Sequence, residues 1–83
     1  MEDILIPIAE IYVPAKRKHD IDPDKVEEIA GSILEDGQRM PIAVRRDEAK
    51  KRFVLVEGLQ RLEAMKALGE EQILGIIVRA RQH

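Results

Sequence analysis

The chain contains no cysteine and no tryptophan, and it carries one tyrosine and one phenylalanine in 83 residues. The missing thiol excludes disulfides, thiolate metal sites and cysteine nucleophiles in one step. The shortage of aromatics means that any core is aliphatic, built from Ile, Leu, Val, Ala and Met. No apolar run approaches the ~20 residues of a membrane span. The N-terminal stretch MEDILIPIAE is acidic and lacks the long apolar segment of a signal peptide. Neither sign of charge dominates: 14 Lys and Arg stand against 16 Asp and Glu, a formal net charge of -2. Such a balance argues against a protein whose main partner is the phosphate backbone of duplex DNA. These absences leave a soluble domain, expected in the cytoplasm and away from membranes.

The length suits one small domain, residues 1–83, and 45% hydrophobic residues suffice for a core. An aliphatic core of this size is thin, so a bound ligand or a homodimer contact would add usefully to stability. No repeat or low-complexity segment interrupts the chain. Residues 4–8 and 11–13 are β-rich pieces around Pro7, which suggests an edge or interrupted strand. Residues 14–22, PAKRKHDID, form a polar connection with a basic cluster at 16–19, read as a solvated loop in preference to an anion-steering patch. Asp22-Pro23 has the form of a helix start, with Asp22 as N-cap. Val26, Ile29, Ala30, Ile33 and Leu34 follow at helical spacing, and Gly37 ends the helix. Gly31 lowers the helix propensity and would permit close packing. Residues 41–45 and 53–56 read as a hairpin joined by the polar turn 47–51. Gly58 opens a second helix that ends at Gly69, and residues 73–78 make a last apolar strand, central or covered at an edge by a partner. A helix between two strands suggests a crossover, with those strands parallel if they share a sheet. The expected fold is α+β: β-α-β-β-α-β with a mixed sheet.

Two features suggest binding. The first is the stretch VEGLQRLEAMKALG, residues 56–69. On a helical wheel Arg61 falls between Leu68 and Met65, inside the apolar arc, and in the first turn. A cation there is mildly disfavoured by the helix dipole, so Arg61 calls for a counter-charge. An anion held by the N–H groups after Gly58 is one candidate, since a helix N-terminus is an anion site and a guanidinium fork suits phosphate. A protein carboxylate, Glu57 or one on the first helix, is the other. The second feature is a polar stripe on the first helix, Lys25, Glu28 and Ser32, beside its apolar face. Such a stripe lines a cleft or is simply solvated.

Taken in order, "IPIAEI", "DPDKVEEIAGSILEDGQRMPIAVR" and "VEGLQRLEAMKALGEEQI" resemble the ParB/sulfiredoxin superfamily over most of the chain. In sulfiredoxins the glycine turn reads Gly-Cys-His-Arg and cradles ATP phosphates. The resemblance places Gly58, Leu59, Gln60 and Arg61 at that turn. Arg61 matches the family arginine and inherits its phosphate contact. Gln60 stands at the histidine and can donate but not titrate near neutral pH. Leu59 stands at the catalytic cysteine, which removes sulfinic-acid reduction. Lys25 and Ser32 match polar positions that contact the nucleotide, and Glu28 replaces a serine there.

ParB proteins carry Gly-Glu-Arg-Arg at the turn and use CTP with Mg²⁺. Leu59 and Gln60 depart from that pattern, so the resemblance implies ATP or ADP, with or without Mg²⁺, ahead of CTP. ParB's downstream DNA-reading helix-turn-helix has no counterpart here, so DNA binding through this domain alone is not expected. Other relatives are free-serine kinases with a glutamate base, for which Glu10, Glu28 and Glu57 are candidates. The reading is therefore a nucleotide-binding module. The alternatives are a phosphotransferase or weak NTPase on the same site, and a ParB-like DNA or protein interaction domain. No residue pattern points to a bound metal or names a protein partner.

Overall fold

The computed structural model of the protein describes residues 2–79. Pro7 does break the first β-rich segment, and its two pieces go to opposite sides of the molecule. β1 (Ile4–Pro7) and β2 (Ile11–Tyr12) are separated by a 3₁₀ turn, and they form the two edges of one five-stranded sheet. Between them lie β3 (Ile42–Asp47), β4 (Arg52–Glu57) and β5 (Gln72–Ile77), giving the order β1-β5-β3-β4-β2. The hairpin of β3 and β4 is antiparallel, with Asp47 accepting the Lys50 N–H at 3.2 Å in the turn. β5 is interior, antiparallel to β1 and parallel to β3.

The expected parallel crossovers are not formed. β2 is parallel to β4, and β4 is antiparallel to β3, so the strands flanking helix α1 (Pro23–Asp36) run in opposite directions. The same pairing makes the strands flanking helix α2 (Leu59–Ala67) antiparallel. In each case a strand intervenes in the sheet between the flanking pair. That removes the direct-neighbour geometry from which the crossover rule derives.

The core confirms the aliphatic reading. Ile6, Ile73, Ile42, Val44, Leu55 and Ile11 from the sheet meet Leu59, Leu62 and Met65 from α2, with Phe53 as the one aromatic contributor. Their side chains share one face of the sheet because strand residues alternate. Leu5, Tyr12 and Val56 lie on the opposite face and are exposed, with Arg52 stacked 3.8 Å above the Tyr12 ring.

α1 begins as its sequence dictates. The Asp22 carboxylate accepts the N–H of Asp24 at 3.0 Å and of Lys25 at 3.4 Å, and Gly37 closes the helix with φ +75°. Its apolar stripe is less engaged than the spacing suggests. No α1 residue is fully buried, because the helix rests mainly on α2, outside the layer that covers the sheet. Leu34 is 74% exposed, a departure from the expected buried face. Gly31 likewise serves no close packing, since a Cβ placed there meets nothing within 4 Å. Gly31→Ala is therefore expected to stabilise the domain by about 0.5–1 kcal/mol through helix propensity alone. A urea titration that showed destabilisation would mean that something covers this face.

Candidate functional site

α2 leaves β4 through Gly58, which adopts φ +106° and ψ +30°. This left-handed conformation favours glycine. The turn also leaves no room for a side chain. A Cβ at Gly58 would stand 2.6 Å from Ile42 Cγ2 and 3.2 Å from its Cα. No side chain caps the helix, and its first main-chain bond runs from Leu62 N–H to the Gly58 carbonyl at 2.9 Å. The N–H groups of the first turn therefore point outward without an intrahelical acceptor.

A cavity of about 360 Å³ opens over this turn. Residues 57–61 form its floor, and Arg17, Asp20 and Ile29 complete the lining. A second cavity of about 230 Å³ is lined by Ile29, Ser32 and Ile33 of α1, the 37–40 loop and Arg61. Ile29 and Arg61 belong to both, so the two cavities share a wall. The structure thus brings Gly58, Leu59, Gln60, Arg61 and Ser32 around one composite cleft. Lys25 and Glu28 are exposed and line neither cavity.

Arg61 is half-buried, and among the described residues no carboxylate lies within 4.0 Å of it. Its Nη2 reaches Met40 Sδ at 4.0 Å. Of the two counter-charges open to the sequence, a protein carboxylate is not found beside Arg61 at ion-pair distance among the described residues. Leu59 is buried in the core, so its side chain anchors the turn. The Gln60 amide is engaged on both atoms: Oε1 accepts the Asp22 N–H at 2.9 Å, and Nε2 donates to the Asp20 carbonyl at 2.7 Å.

Arg17 is the residue that the sequence reading passed over. Ala15–Asp20 forms a 3₁₀ helix in place of the expected loop; Lys16, Lys18 and His19 on it are exposed, but Arg17 turns inward. Its Nη1 donates to the carbonyls of Leu55 at 3.0 Å and Val56 at 2.8 Å, capping the end of β4. Among the described residues its other nitrogens make no hydrogen bond, and Arg17 lines the cavity that Arg61 also lines. Met40 is a second omission: it is 62% exposed and lines the second cavity beside Arg61 as an apolar rim.

The sequence model of the ParB N-terminal domain matches residues 2–83. The chain belongs to the ParB N-terminal domain family. Among curated proteins it is similar to a probable chromosome-partitioning protein ParB of Campylobacter jejuni. The identity is 39% over 64 residues, 77% of this chain and 22% of that protein. This ParB-family chain therefore spans about a fifth of that relative's length. Among solved structures, sulfiredoxin from Arabidopsis thaliana superposes with a TM-score of 0.85 and 28% identity, over 96% of this chain and 88% of that one. ParB from Caulobacter crescentus complexed with CTP-gamma-S superposes with a TM-score of 0.82 and 19% identity, over 99% and 47%. A free serine kinase (E30A mutant) in complex with ADP gives 0.82 and 15%, over 94% and 31%. The last two likenesses establish the shared fold.

Proposed function

We propose that this ParB-family domain binds a nucleotide, with its phosphates on the 58–61 turn and its nucleoside toward Ser32 and Met40. One observation carries the reading. Arg61 lines a cleft over an uncapped helix N-terminus, with no protein carboxylate within 4.0 Å of it among the described residues. An anion of the size of a di- or triphosphate supplies what both groups lack. Arg17 adds a second guanidinium on the same wall. The complexes of structural relatives with CTP-gamma-S and with ADP support a nucleotide as the ligand. The Gly-Leu-Gln-Arg turn favours ATP or ADP over CTP, because the Glu-Arg pair of the ParB turn is missing.

Asp20 and Glu57 line the same cavity and would repel phosphate. Two hard carboxylate oxygens beside phosphate oxygens suit Mg²⁺, which binds through one or two carboxylates plus phosphates and waters. Bound there, the ion would offset that repulsion.

ATP or ADP, at a concentration about 100-fold above its Kd, is expected to raise the Tm by roughly 10 °C or more, given ~2.7 kcal/mol of linkage on a domain of this size. CTP should give a smaller rise. No shift with any nucleotide at millimolar concentration would end this reading. A second reading, phosphoryl transfer, has one observation in its favour: of the candidate glutamates Glu10, Glu28 and Glu57, only Glu57 lines the phosphate cavity. Turnover of ATP or ADP with serine as acceptor, lost in Glu57→Gln, would establish it.

A further inference from the structure

α1 supplies the wall that the nucleoside would meet, yet it is loosely attached. None of its residues is fully buried. Two glutamines outside the helix compensate by pinning its ends. Past the C-terminal end, Gln38 Nε2 donates to the Leu74 carbonyl at 2.8 Å while its Oε1 accepts the Leu74 N–H at 2.7 Å. Before the N-terminal end, Gln60 takes the Asp22 N–H and gives a hydrogen bond to the Asp20 carbonyl. These partners fix the orientation of the Gln60 amide, since the oxygen must meet the N–H and the nitrogen the carbonyl. Gln60 also lies between Leu59 and Arg61, within the turn that holds the phosphates in the reading above.

We infer that the Gln60 side chain is a positioning group: its amide ties the entry of α1 to the phosphate turn and acts on nucleotide binding through α1, without itself touching the phosphates. The inference rests on the nucleotide reading. Residue 60 sets the distance between the two halves of the cleft. The anion turn is on one side, and Ile29, Ser32 and Ile33 are on the other. A ligand that needs both halves depends on the pin. A ligand that needs only the turn does not.

That contrast defines the test. Gln60→Ala and Gln60→Met both remove the pin without adding charge, and Met keeps the length and the apolar stem. Calorimetric titration with ADP and with inorganic tripolyphosphate reads the two halves separately. Hydrogen exchange of the ligand-free protein reads the pin itself, at the Val26 amide, which bonds the Asp22 carbonyl. The expected result is ADP binding weakened about tenfold, the worth of roughly one net hydrogen bond. Tripolyphosphate binding should stay within about twofold, and Val26 should exchange about tenfold faster. Equal losses for both ligands would mean that the Gln60 side-chain amide touches phosphate and would overturn the inference. Unchanged ADP binding would overturn it too. If the wild-type protein binds neither probe, the nucleotide reading falls. Val26 exchange then decides alone: faster exchange supports the pin, and unchanged exchange overturns it.

Discussion

Gly58→Ala is expected to cost roughly 3 kcal/mol or more of folding stability, a large fraction of what an 83-residue domain possesses. Two separate costs add. The left-handed backbone at φ +106° penalises any Cβ by about 1–2 kcal/mol. The new methyl would also stand 2.6 Å from Ile42 Cγ2 and 3.2 Å from the Ile42 Cα. Relief of that overlap requires movement of β3 or of α2, at a further 1–3 kcal/mol or so. Ile42 cannot yield easily, since it is only 1% exposed and pairs with Gly75 of β5. A denaturant titration should show a lower midpoint with an unchanged slope. A midpoint close to wild type would show that the turn is not constrained as described.

Arg61→Ala should have the opposite profile, with ligand binding lost and folding retained. Among the described residues its one side-chain hydrogen bond is to the Met40 thioether at 4.0 Å, and the residue is half-exposed. The Tm of the free protein should therefore change little. Hydrogen bonds to phosphate are charge-assisted, and a bidentate guanidinium makes two. Their loss should weaken ATP or ADP binding by about 100-fold or more, enough to erase the thermal shift. Arg61→Lys should fall between, since it keeps the charge and loses the fork. Nucleotide binding undiminished in Arg61→Ala would place the phosphates elsewhere.

What the sequence made legible was local. The Asp22-Pro23 start, the Gly37 stop, the Asp47 turn and the Gly58 switch each depend on partners a few residues away. The Gly-x-x-Arg turn was legible for the same reason, because glycine and arginine sit within one helical turn. The missed features all depend on distant partners. Arg17 is set apart from Lys16 and Lys18 by reaching carbonyls 38 and 39 residues away. Gln60 is fixed by main-chain groups 38 and 40 residues back. Nothing in the local pattern distinguishes a pinned amide from a free one. Leu34 keeps helical spacing with the apolar stripe, but α1 rests mainly on α2 and leaves it exposed. The antiparallel flanking strands were hidden because the strand that separates each pair is the hairpin partner of one of them, and nothing in the local pattern says on which side of its partner it inserts.

Amide chemical-shift mapping during titration with ADP and Mg²⁺ tests the central claim most directly. The account predicts that the largest changes fall on Leu59, Gln60 and Arg61, whose N–H groups form the proposed phosphate cradle. Smaller changes should appear at Ile29, Ser32 and Met40. Saturating ADP that left residues 58–61 unperturbed, or that shifted only amides remote from this cleft, would contradict it.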